Sequence, residues 1–161
     1  MADPLKVKPS TAAAAGKPHD LEQPAPCTIV IFGAGGDLTK RLVVPALYNL
    51  SRTSKLPENF ALIGVDLAAG TTESWQKSLR DMLQSFVGSS TAELSIGEID
   101  EKAWSWLAGR MSYMQGDLTT AELYAKIETA LDDAAAKHGT LGNAIFYLAV
   151  ADRFFGTVVD H

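Results

Sequence analysis

The chain is short of several things. It has one cysteine, Cys27, among 161 residues, so no internal disulfide is available, as expected in a reducing compartment. No apolar run approaches the roughly 18 residues that a membrane-spanning helix requires. The Thr11–Ala15 stretch is too short and too weakly apolar for the core of a secretion signal. Positive charge is also scarce, with 14 Lys and Arg against 19 Asp and Glu and a net charge of −5. No basic stripe is left to meet the phosphates of a nucleic acid. These absences predict an acidic cytoplasmic domain with neither a nucleic acid nor a membrane as partner.

Aromatic residues are missing from residues 1–26, a stretch that holds five of the seven prolines. Such a segment buries too little apolar surface to offset the entropy of ordering it. It reads as a disordered arm, set before a domain over residues 27–161. The whole chain is 47% hydrophobic and 20% charged, an ordinary globular balance.

From Cys27 onward, short apolar runs alternate with helical patterns. Thr28–Phe32 is β-branched and aromatic, suited to a strand buried on both faces. Leu38, Leu42, Ala46 and Leu50 then recur every four residues, which predicts a helix with these positions facing inward. Pro45 interrupts that pattern and predicts a kink or a later start. Phe60–Val65 reads as a second strand and Thr72–Val87 as a helix with Trp75, Leu79, Leu83 and Phe86 on one face. Asp100 is placed to cap a short helix running to Leu107. Ser112–Gln115 reads as a weak third strand. Thr119 and Glu122 have the spacing of a capping box, opening a helix to about Lys137. Asn143–Val150 completes the pattern as a fourth strand. Alternation of this kind predicts an α/β fold, a Rossmann-like doubly wound parallel sheet with helices on both faces. Its ligand belongs beyond the carboxyl ends of the strands.

The first strand meets the first helix at Gly33-Ala34-Gly35-Gly36-Asp37-Leu38-Thr39-Lys40-Arg41. Gly33 permits a tight turn, and Gly35 and Gly36 let a bulky group approach the backbone. Free N–H groups and the helix dipole at this point favour an anion such as a pyrophosphate. Lys40 and Arg41 oppose the dipole unless an anion is near. The spacing G-x-G-x-x-G is not met, because its third glycine falls on Leu38. On the glycines alone, a purely structural turn is as good a reading as a nucleotide site.

The longer string decides more. Gly33-Ala-Gly-Gly-Asp-Leu-Thr-Lys-Arg41 followed by Pro45-Ala-Leu-Tyr-Asn-Leu50 resembles the coenzyme domain of the glucose-6-phosphate dehydrogenase family. That family shows G-A-S/T-G-D-L-A/T-K-R and then P-A-L-Y-x-L. Leu56-Pro-Glu-Asn59, Ile63-Gly-Val65 and Phe146-Tyr-Leu-Ala149 are similar to later family segments. The resemblance covers about Cys27–His161. It implies an oxidoreductase that oxidises glucose 6-phosphate to its lactone with NADP or NAD, at the head of the pentose phosphate pathway. It also implies a homo-oligomer for the complete enzyme.

Carried over residue by residue, the resemblance places Gly33, Gly35, Gly36, Asp37 and Leu38 around the coenzyme pyrophosphate. Arg41 then lies near the adenosine phosphates, Asp117 and Leu118 flank the adenine, and Tyr147 lines the coenzyme groove. As a residue in its own right, Tyr147 reads equally well as a core aromatic.

Two departures from the family pattern matter. The position after the second strand where NADP-using members carry an arginine holds Leu67, next to Asp66. An acidic residue there accepts hydrogen bonds from a ribose 2′-hydroxyl and repels a 2′-phosphate, so Asp66 leans toward NAD or dual use. Arg41 remains the alternative partner of a 2′-phosphate. The second departure is that the family's histidine base in R-I-D-H-Y-L-G-K-E and lysine in E-K-P-F-G are both absent. His19 lies in the arm, His138 sits at a helix end where a cationic ring suits the dipole, and His161 falls in the helix expected after the fourth strand. No catalytic residue is assigned. The sheet is expected to stop after its fourth strand, with the catalytic β+α domain absent.

Two other classes compete. A short-chain reductase needs Tyr-x-x-x-Lys, but Tyr48, Tyr113, Tyr124 and Tyr147 are followed by Arg52, Asp117, Glu128 and Ala151. A nonenzymatic nucleotide-binding module is the other. Trp75, Trp104 and Trp106 read as packing residues, with Trp104 and Trp106 too closely spaced to face the core together.

Overall fold

A computed structural model describes residues 24–88 and 97–161. The arm expected over residues 1–26 therefore lies outside the described residues, apart from Pro24–Pro26. Four strands, β1 (Cys27–Phe32), β2 (Phe60–Asp66), β3 (Met111–Gln115) and β4 (Ala144–Leu148), form one sheet in the order β3-β2-β1-β4. Every pair is parallel, with Ile31 opposite Gly64 and Tyr147, and Gly64 opposite Tyr113. This is the doubly wound arrangement expected from the alternation, in which each crossover carries a helix.

Side chains alternate across each strand, so each face of the sheet collects its own core. Ile31, Phe60 and Leu62 face α1 (Val44–Arg52), α2 (Thr72–Phe86) and α3 (Glu101–Ala108), which add Leu47, Tyr48, Trp75, Leu79, Leu83 and Trp104. Val30, Phe32, Ile63 and Val65 face α4 (Ala121–His138), which adds Leu123 and Ile127. Each such side chain contributes about 2 kcal/mol through burial. Trp104 is buried, while Trp106 is part-exposed and stacks on Phe60 with ring centres 6.3 Å apart.

The helix after the glycines departs from expectation. Leu38, Leu42 and Leu50, predicted to face inward, are each about 40% exposed, and Ala46 is exposed too. The stripe faces outward on both sides of a π turn over Thr39–Val43, in which the Val44 N–H donates to the Thr39 carbonyl. Thr39 and Val44, five residues apart, therefore share the buried side, and Leu47 and Tyr48 follow them inward. Pro45 stands just after this turn, in the first turn of α1, where its missing N–H costs little. Of the two outcomes expected at Pro45, the later start is the one seen: the α-helix begins at Val44, after a turn that holds one extra residue.

Caps also differ from expectation in one place. Asp100 does cap α3, accepting from the N–H groups of Lys102 and Ala103 at 2.9 and 3.0 Å. The capping box expected at Thr119 and Glu122 does not form. Thr120 is the N-cap of α4 and makes no side-chain cap. Asp117 takes both the N–H and the hydroxyl of Thr119 instead, and Glu122 pairs with Lys126 at 2.7 Å. A capping box does open α2, between Thr71 and Ser74.

Candidate coenzyme site

The glycine loop is pinned to β2 before it turns. The N–H groups of Gly33 and Ala34 both donate to the Val65 carbonyl, at 2.9 and 3.0 Å. Gly33 has φ +86, and a Cβ there would collide with the Ala149 carbonyl at the end of β4, so only glycine fits. Gly36 closes the turn by donating to the Gly33 carbonyl, which also accepts from the buried Thr39 hydroxyl at 2.8 Å. Beneath the loop, the indole N–H of Trp75 donates to the Ala34 carbonyl at 2.9 Å. Trp75 is therefore a packing residue, as expected, and a positioning one as well.

As the opening residues of a helix, Asp37 and Leu38 have N–H groups with no backbone acceptor among the described residues. Their side chains are exposed. A pyrophosphate fits such a donor pair, since the fixed N–H dipoles supply partial positive charge without a side chain. Arg41 is exposed and lies 3.7 Å from Asp37 in an i,i+4 pair. An exposed pair of this kind is worth little, so the guanidinium is available to an anion at the same place.

Asp66 does something not foreseen from sequence. Its Oδ2 accepts from the Gly35 N–H at 2.7 Å, and its Oδ1 accepts from the Ala68 N–H at 3.1 Å. The carboxylate thus sits against the glycine loop and uses one of the donors expected to serve the pyrophosphate. The stretch after Asp66 is stapled to β3. The Tyr113 hydroxyl donates to the Ala68 carbonyl at 2.6 Å, and the Gln115 amide donates to the Leu67 carbonyl at 3.1 Å. Burial, with the Asp66 charge adding to it, pushes the Tyr113 phenol up, which keeps it protonated as a donor. Leu67, in the position where an arginine would stand, is 68% exposed.

Of these residues, Gly33, Asp66 and Leu67 line a cleft of about 320 Å³ at the carboxyl edge of the sheet, together with Asp117, Leu118, Arg153 and Phe154 among others, while Gly35, Gly36, Asp37, Leu38 and Arg41 lie outside its lining. Gly33, Asp66, Asp117 and Leu118 are therefore brought together. The Asp117 carboxyl is held below its ordinary range by the bonds it accepts from the Thr119 N–H and hydroxyl. Tyr147 stands apart from the cleft lining, on the α1–α3 face opposite Ile31, with its side chain 39% exposed.

Arg153 is a cation of the cleft that sequence reasoning missed. It follows β4 in a 3-10 turn over Asp152–Phe154. Its place just beyond a strand's carboxyl end was the available signal. Gln115 and Tyr113 gave none, because their role depends on strand order.

The histidines fall elsewhere. His161 stacks on Tyr124 with ring centres 4.3 Å apart. The cationic ring expected at His138 is not supported. Burial pushes its imidazole below the ordinary value, and Lys137 and Arg110 push it the same way. Among the described residues, no helix is long and apolar enough to cross a membrane.

A parallel doubly wound sheet with a glycine turn feeding a helix at its carboxyl edge defines a dinucleotide-binding domain. A family model described as the glucose-6-phosphate dehydrogenase NAD binding domain matches residues 30–161. The chain belongs to that family and carries its nicotinamide-coenzyme fold.

Among curated relatives, the glucose-6-phosphate 1-dehydrogenase of Chlamydia muridarum is 37% identical over 134 residues, covering 83% of this chain and 25% of the relative. That of Leuconostoc mesenteroides is 32% identical over 133 residues, with 83% and 25% covered. The chain thus spans about a quarter of the length of the curated relatives it matches. A solved glucose-6-phosphate 1-dehydrogenase from Mycobacterium avium superposes with a TM-score of 0.68 at 28% identity, over 85% of this chain and 26% of that one. A glucose-6-phosphate dehydrogenase solved with its substrate gives a TM-score of 0.71 at 23% identity, over 84% and 26%. That second likeness is one of fold.

Proposed function

We propose that this chain is the coenzyme-binding portion of a glucose-6-phosphate 1-dehydrogenase. The complete protein would oxidise glucose 6-phosphate to 6-phosphoglucono-lactone with NAD or NADP, in the pentose phosphate pathway. The observation that carries this reading is the pinned glycine turn, whose first residue, Gly33, lines a cleft at the carboxyl edge of the sheet. The family membership reported above supports that reaction.

In this reading Gly33 and Gly36 shape the turn, and the N–H groups of Asp37 and Leu38 hold the pyrophosphate with Arg41 close by. Gly35 gives space rather than a free donor. Asp117 and Leu118 border the adenine, while Tyr147, outside the cleft lining, is left without a coenzyme role. Asp66 accepts from the ribose hydroxyls, which favours NAD or dual use over strict NADP use. The bound coenzyme supplies the hydride acceptor. No residue of this chain is assigned as the base that takes the sugar's proton. The complete enzyme is read as a cytoplasmic homo-oligomer, with the coenzyme and glucose 6-phosphate as its partners and with neither nucleic acid nor membrane.

Fluorescence titration of the chain with NADH and separately with NADPH tests the site. Saturable binding of either is expected, with NADH favoured. Binding of neither would remove the basis for the reading.

A further inference from the structure

We infer that Gly35 and Asp66 form one coupled device that selects the coenzyme. The missing side chain at Gly35 is what seats the Asp66 carboxylate where it turns away a 2′-phosphate. This rests on the cleft being the coenzyme site, as proposed above.

Glycine is needed at 33 for its backbone, but Gly35 has a φ outside the left-handed region, so any residue could adopt its conformation. Space is the remaining reason. The three atoms nearest to a Cβ built on Gly35 all belong to the Asp66 carboxyl group: Oδ2 at 3.2 Å, Cγ at 3.5 Å and Oδ1 at 3.9 Å. A methyl there needs the carboxylate to give by a few tenths of an ångström. A branched side chain needs the carboxylate to leave, and with it goes the 2.7 Å bond from the Gly35 N–H.

While seated, the carboxylate is fixed from both sides, by the N–H groups of Gly35 and Ala68. It therefore presents fixed acceptor oxygens and a negative charge to the cleft it lines. A ribose hydroxyl is a donor and is accepted there. A 2′-phosphate is an anion and meets like charge at close range. The two residues are 31 apart in the chain, so neither one signals the other in sequence.

Four chains test this: native, Gly35→Val, Asp66→Ala and the double variant, each titrated with NADH and NADPH by fluorescence. Amide hydrogen exchange at Gly35 is measured on the same chains without coenzyme. The native chain is expected to favour NADH. Each single variant is expected to cut that preference about tenfold or more, and the double variant to go no further, since either change unseats the same carboxylate. The Gly35 amide is expected to exchange slowly in the native chain and fast in Asp66→Ala. Gly35→Ala, whose methyl asks for a small shift, is expected to fall between native and valine, and it serves if the valine variant does not fold. The proposal is overturned if the native chain favours NADPH, if the glycine variants keep the native preference, if the two changes multiply, or if the Gly35 amide stays protected without Asp66. Those results leave the coenzyme reading standing. Failure of the native chain to bind either coenzyme overturns both.

Discussion

The two neighbours of β1 are written in similar apolar language, yet they end in different surroundings. β2, Phe-Ala-Leu-Ile-Gly-Val-Asp, is buried at every position but the last. β4, Ala-Ile-Phe-Tyr-Leu, is exposed at its three central positions, with Ile145 and Phe146 each 50% open. The glycine turn leans mainly on the buried neighbour. Val65, Asp66 and Trp75 hold Gly33, Ala34 and Gly35 from the β2 side, whereas β4 contributes the close approach of Ala149 to Gly33. Local composition tells what a strand is able to bury; its neighbours decide what it does bury.

The sharpest way to break this contrast is one truncation on each side of β1. Leu62→Ala removes a fully buried side chain from β2 and is expected to cost about 3 kcal/mol by urea denaturation. Ile145→Ala on β4 is expected to cost less than about 1 kcal/mol, because half of that side chain already meets water. Equal losses would mean that β4 is covered in solution.

A smaller effect probes the support beneath the turn. Trp75→Phe keeps most of the packing but leaves the Ala34 carbonyl without its indole donor. A loss of about 1–2 kcal/mol is expected, together with weaker coenzyme binding in the same titration. A stability loss with unchanged binding would confine Trp75 to packing.

The smallest concerns His138, on the α4 side of the sheet. Its folded pKa is lowered, so the folded state prefers the neutral ring, and the unfolded chain takes up the proton first, near pH 6.5. Its contribution is thus complete above about pH 6.5 and is lost as the pH falls through the lower folded value. Between pH 7.5 and 5.5 the native chain is expected to lose more Tm than His138→Gln. The difference should be on the order of 1 °C, discounted for the ring's partial exposure. The paired or capping carboxylates Glu73, Glu101, Asp117 and Glu122 are lowered as well. They release their contribution only below the ordinary carboxylate range, about pH 4, and do not confuse the comparison.

Much of the fold was legible, for reasons that lie in particular residues. The β-branched run at Thr28–Phe32, the Asp100 cap and the alternation of strand with helix are local signals, and local signals survive folding. The stripe of Leu38, Leu42, Ala46 and Leu50 misled because periodicity marks a face without saying which way it looks, and this face is exposed before and after the π turn. Thr119 misled because Asp117, two residues earlier, competes for the same hydroxyl and N–H. The glycines marked the strand-to-helix turn that begins at Gly33, whereas the reading of that turn as a pyrophosphate site came from the family resemblance. The Gly35–Asp66 bond, the Trp75 support and the staples from Tyr113 and Gln115 were not, since each joins residues far apart in the chain.

The π turn over Thr39–Val43 has a further consequence for how this helix tolerates change. Each residue of a regular helix turns about 100°, so the extra residue works as a gear between two programmes. Upstream of it, Asp37 and Leu38 look outward. Downstream, Val44, Leu47 and Tyr48 look into the core. A single-residue deletion within the turn would leave every remaining side chain chemically intact and still mesh the two halves wrongly. Substitutions in that stretch are a matter of chemistry; a change in its length is a matter of phase.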